Sequence, residues 1–147
     1  MDDIKELCDA ALANPAFQPK KGVTHCNEAV NSVAVAVGCL EFVGLMADEI
    51  YQTMVTNASG KWQKVDPSDA AIWSLSNGLA VAGLPSQRIG EDHGHVVVCY
   101  PLGQQFSGSF NMDVPMCANV GKTVGVMKVS GAFPVAKGMP DFFTYAG

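Results

Sequence analysis

His95-Val96-Val97-Val98-Cys99-Tyr100 is an unbroken apolar run that opens on a histidine. β-branched residues hold χ1 stiffly and suit a pleated backbone, and a run apolar on both faces belongs inside a sheet. The run predicts a strand, with the polar stretch Arg88 to Gly94 as the turn that leads into it. Upstream, Leu79-Ala80-Val81-Ala82-Gly83 reads as a second strand, separated by Asn77-Gly78 from what precedes it. Downstream the chain is rich in glycine, and short strands are expected near residues 123–129 and 142–145.

The N-terminal half carries helical periodicity instead. In residues 2–14, Ile4, Leu7, Cys8, Ala11 and Leu12 fall on one face, and Pro15 and Pro19-Lys20-Lys21-Gly22 break the pattern. Thr24 is the expected N-cap of the next helix, with Cys26 in its first turn. Cys26, Val30, Val33 and Val37 give that helix a buried face, and Gly38 ends it. A further helix is expected over residues 45–54, and Asn57-Ala58-Ser59-Gly60 is a loop. Asp66 before Pro67 marks another helix start, running through Ser76. Helices first and strands later argue for an α+β fold rather than alternating βαβ units, in one domain over residues 1–147.

Composition narrows the function. The chain has 147 residues, 48% of them hydrophobic and 16% charged, which suits a folded domain with a real core. The net charge of −5 and the lack of a basic stripe argue against nucleic-acid binding. No apolar run is long enough to span a membrane. The charged start Met1-Asp2-Asp3-Ile4-Lys5-Glu6 shows no secretory signal, so the expectation is synthesis in the cytoplasm with either residence there or export by a route needing no such signal. The five cysteines, Cys8, Cys26, Cys39, Cys99 and Cys117, are odd in number and irregular in spacing. They predict packed thiols rather than a disulfide framework.

One cysteine has the setting of a nucleophile. A thiol attacks only as thiolate, and unpaired N–H groups at a helix N-terminus favour the anion. Cys26 has that place, and His95 at a strand start is a candidate base. The two are far apart in the chain, so only the fold can bring them together. His93, two residues earlier, belongs to a turn and to the rim, and His25 is expected to point away from the thiol. Cys26, His93, His95 and Cys99 offer zinc-ligand types. The His-x-His-x3-Cys run lacks the spacing of structural zinc sites, however, so no metal is expected. Trp62 and Trp73 read as packing, and Gly121-Lys122-Thr123 lacks the upstream glycine of a phosphate loop.

Four blocks resemble the NlpC-type cell-wall cysteine peptidases. Thr24-His25-Cys26-Asn27-Glu28-Ala29-Val30 is similar to the family's nucleophile motif, and Gly94-His95-Val96-Val97-Val98 to its histidine-bearing strand. Val114-Pro115-Met116-Cys117-Ala118-Asn119-Val120-Gly121 resembles a segment of the type VI secretion amidase effectors, and Ala47-Asp48-Glu49-Ile50 stands where relatives carry an Ala-Asn pair. Order and spacing match over residues 22–133.

The resemblance implies a papain-like fold, with N-terminal helices on a small antiparallel sheet. It implies Cys26 as nucleophile, His95 as base and Asn119 as the group orienting the imidazole, although relatives use a histidine or an acid there. Asp48 and Gly94 become candidate substrate contacts. The substrate would be the peptide stem of peptidoglycan, cut at the D-glutamyl to diamino-acid bond, with no cofactor; a toxin role would add an immunity protein as partner. A catalytically silent binding module and an acyl-transfer enzyme on a non-wall amide are the rival readings.

Overall fold

A computed structural model describes residues 3–147; position 2, the first of the expected N-terminal helix, lies outside the described residues. The chain is α+β. Helices α1 (Ile4–Ala13), α2 (Cys26–Ala36) and α3 (Ala47–Thr56) come first. Strand β1 (Trp62–Val65), helix α4 (Pro67–Leu75), strand β2 (Ala80–Leu84) and the one-turn helix α5 (Ser86–Ile89) follow. Then come β3 (His95–Ser107), β4 (Met112–Val120), β5 (Val124–Lys128), the one-turn helix α6 (Val129–Ala132) and β6 (Asp141–Tyr145). The six strands form one sheet in the order β1-β6-β2-β3-β4-β5, and every neighbouring pair is antiparallel.

Period-2 alternation divides the core in two. Val96, Val98 and Tyr100 of β3 and Ala118 and Val120 of β4 face α1, α2 and α3. Val97, Cys99, Val114 and Cys117 face the other way, with Ala70 of α4, Val129 of α6 and Phe133. The helices are therefore not confined to one face: α4 and α6 cover the second. This is why β3 reads as apolar on both sides. Ser74 of α4 seals that side with a buried hydrogen bond, its hydroxyl donating to the Cys99 carbonyl at 2.9 Å.

Three strand boundaries depart from expectation. β3 runs seven residues past Tyr100, to Ser107, with an irregularity between Tyr100 and Gln104 that lets Pro101 and Gly103 into a strand. β1 and β4 are strands that local pattern did not announce, β4 because Pro115 lies inside it. Pro115 is opposite Gln104, at the point where the register shifts, so its missing N–H falls where the ladder is broken. The expected turn from Arg88 opens on the last two residues of α5, Arg88 and Ile89, and is irregular from Gly90 onward.

All five cysteines are free and buried. Trp62 packs between Phe42 and Tyr145, with ring centroids 5.2 and 4.9 Å away, as a core residue. Among the described residues no helix is long and apolar enough to cross a membrane.

Candidate functional site

The first turn of α2 begins one residue later than the sequence suggests. His25, not Thr24, is the N-cap, with φ −127° and ψ 32° and no side-chain cap bond. Its ring is held elsewhere: Nδ1 pairs with Glu28 Oε1 at 2.6 Å, and the face stacks on Phe17. Cys26 thus becomes the first helical residue, where backbone N–H groups lack intrahelical partners.

Two of those donors, and a third from β3, act on the thiol. Burial raises the Cys26 thiol above its usual range, and the backbone N–H groups of Val96, Asn27 and Cys26 itself pull in the opposite direction. The Val96 group is available because β4 pairs with β3 only from Val98 inward. The thiol is 7% exposed, lies beside an apolar void of about 10 Å³, and lines an open groove on its other side.

His95 pairs with Leu84 across β2 and shares the side of Val97 and Cys99. Its ring rests against Phe133, with centroids 5.1 Å apart, and Gly121 closes over Cε1. Burial holds the imidazole below its ordinary range, and the bond to Asn119 works against that shift.

Asn119, 3% exposed, makes two hydrogen bonds that fix its orientation. Its Nδ2 donates to the Thr123 carbonyl at 2.8 Å, and its Oδ1 faces His95 Nε2 at 2.7 Å. A carbonyl oxygen only accepts, so the Thr123 contact assigns the amide. Oδ1 must then accept from a protonated Nε2. In a neutral ring the lone pair is consequently on Nδ1, the nitrogen a base would use.

Cys26 and His95 share no direct hydrogen bond among the described residues. Strand alternation is the reason: Cys26 packs over Val96 and Val98, while the imidazole leaves β3 on the opposite side. What joins them is the Val96 N–H, two covalent bonds from the His95 Cα.

Asp48 and Gly94, expected as substrate contacts, have structural partners. Asp48 Oδ1 accepts from the Ser86 N–H at 2.8 Å, and Oδ2 accepts from the Ser86 hydroxyl. Gly94 lies so close to that carboxylate that a Cβ there would collide with Oδ1. Both residues still line the groove, a cleft of about 560 Å³ that also takes in Val23, Asn27, Met46 and the exposed His93. The combination weighed for zinc does not assemble, since His93 lies in the turn and Cys99 is in the second core. Among the described residues no group of three or more His, Cys, Asp or Glu is gathered to hold a metal.

Ser86, Thr123 and Phe133 belong to the site and were not candidates for it in the sequence; Val96 was read only as part of the strand that bears His95. Each acts through backbone atoms, a hydroxyl or simple bulk, which are not what a chemical motif records. No protein-family model matches the chain, and no curated protein matches it at a significant level.

Proposed function

We propose that this chain is a cysteine hydrolase of papain-like, NlpC-type architecture that cuts an amide bond in the peptide stem of peptidoglycan, between the D-glutamyl and diamino-acid residues. The observation that carries the reading is the Thr123–Asn119–His95 relay, which sets the imidazole tautomer so that Nδ1 is the free nitrogen, in a chain whose Cys26 opens a helix. Structural histidines seldom need their tautomer assigned by a buried amide that is itself assigned.

The resting pair is neutral. Burial opposes charge on both groups, raising the Cys26 thiol and lowering His95. His95 Nδ1 takes the Cys26 proton as the sulfur attacks the substrate carbonyl carbon. The step requires His95 Nδ1 to come within reach of the Cys26 sulfur when substrate binds, since the two share no hydrogen bond without it and catalytic hydrogen bonds are commonly long in that state. The N–H groups of Cys26 and Asn27, released from the sulfur, receive the oxyanion. The protonated imidazole then gives its proton to the leaving amine and the C–N bond breaks, leaving a thioester. A water loses a proton to Nδ1 and attacks the thioester, and the C–S bond breaks to release the Cys26 thiolate, which takes that proton from the imidazolium.

The test is purified protein on peptidoglycan sacculi, with fragments read by mass spectrometry. Stem-peptide cleavage lost in Cys26→Ala supports the reading. Unchanged sacculi with tight pull-down would instead favour a binding module, a reading favoured by the absent thiol–imidazole bond. Turnover only of non-wall amides would indicate acyl transfer elsewhere.

A further inference from the structure

The segment that delivers His95 to the site is residues 85–94, the connection between β2 and β3. Its two ends converge on one carboxylate. At the start, Ser86 gives both its N–H and its hydroxyl to Asp48. At the finish, Gly94 has no side chain and packs against Asp48 Oδ1, the Leu84 carbonyl and the Ser86 nitrogen. Asp48 is the second residue of α3, a separate element, so the contact ties the neck of the connection to a helix that lines the groove. The residues just beyond that neck are His95 and Val96, which carry the imidazole bonded to Asn119 and the N–H that pulls the Cys26 thiol down against burial.

We propose that Asp48 is a positioning residue that clamps the neck of the 85–94 connection and thereby sets His95 and Val96 against Cys26. The proposal rests on the hydrolase reading only for its effect on rate; the clamp itself is a statement about the backbone. Both carboxylate oxygens are engaged by Ser86, which distinguishes this role from direct substrate binding. Asparagine could replace aspartate here, accepting from the Ser86 N–H through Oδ1 and donating to the Ser86 hydroxyl oxygen through Nδ2. Alanine could not. Ser86→Ala removes one of the two bonds and leaves the other.

Two measurements on the full chain decide the matter. The first is amide hydrogen exchange at Gly94, His95 and Val96, against Val114 of the neighbouring strand β4, opposite Gln105 and away from the neck, as an internal reference. Asp48→Ala should speed exchange at the three neck amides on the order of 10-fold with Val114 unchanged, Ser86→Ala should do so less, and Asp48→Asn should stay near wild type. The second is the rate of Cys26 alkylation by iodoacetamide from pH 5 to 9, with His95→Ala for comparison. Asp48→Ala should slow the His95-dependent part by roughly 10- to 100-fold, and Asp48→Asn should recover most of the loss.

Unchanged neck exchange in Asp48→Ala overturns the clamp. Faster exchange with a wild-type alkylation profile, while His95→Ala is slow, overturns its positioning role. His95→Ala alkylating at the wild-type rate overturns the hydrolase reading instead, and exchange still decides the clamp.

Discussion

Replacing Asn119 by alanine takes away the acceptor of His95 Nε2–H and the donor to the Thr123 carbonyl together. Each bond contributes about 1 kcal/mol net, and each partner left unpaired near a side chain only 3% exposed adds to the loss. The sum is about 2–3 kcal/mol, equivalent to a Tm lower by about 6–10 °C for a chain of this size. The ring should respond as well. Asn119 is the contribution that raises the His95 pKa against burial, so its removal drives the value further below 6.5.

The sign of the stability effect follows from that direction. A depressed pKa means the folded state favours the neutral ring, so this stabilisation is fully present above pH 6.5 and is lost as pH falls through the lowered value. Asn119→Ala should push that acid limb to lower pH. Asn119→Asp should do the reverse, because a carboxylate accepts the same Nε2–H and favours the cation. The assay is imidazole 15N NMR across pH on histidine-labelled protein, paired with denaturant unfolding at each pH. The reasoning is refuted if wild type carries its proton on Nδ1, or if Asn119→Ala changes neither the titration nor the stability.

Other outcomes follow from the same geometry. Cys26 is raised by burial, so its stabilisation holds below pH 9.0 and is lost as pH rises through the raised value; the stability gap between wild type and Cys26→Ala, about 1 kcal/mol near neutral pH, should therefore narrow in alkali, as read by urea midpoints. Gly94→Ala drives a methyl into the Asp48 carboxylate and should cost about 2 kcal/mol by thermal melting, with part of the loss relieved in the Asp48→Ala background. Phe133→Ala opens the wall behind the imidazole and should bring the His95 pKa closer to 6.5 by letting water in, an upward shift that NMR titration would show.

Much of this fold is local physics written in single segments. The Val96–Tyr100 run requires a strand covered on both sides, and the spacing of Ile4, Cys8 and Ala11, or of Cys26, Val30 and Val33, requires helices that bury one stripe. Those patterns depend on a residue's own neighbours, which is why Cys26 and His95 could be named as candidates before any coordinates, whereas Asn119 came only from the resemblance. Where Pro115 could be tolerated, and that β1 pairs with β6 at the sheet edge, depend on a partner strand distant in the chain.

The site shows the same division. Residue types chose the candidates, but which nitrogen of His95 carries the proton is decided by a carbonyl at Thr123, through an amide that belongs to neither residue. Asp48, a substrate contact in what the resemblance implies, is bonded to Ser86, because the β2–β3 connection folds back over α3. The Cys26 thiol on α2 and the His95 imidazole lie on opposite sides of β3, whose Val96 N–H pulls the thiol down against burial. Side-chain identity is encoded residue by residue, whereas hydrogen-bond direction and burial belong to groups that only the folded chain brings together.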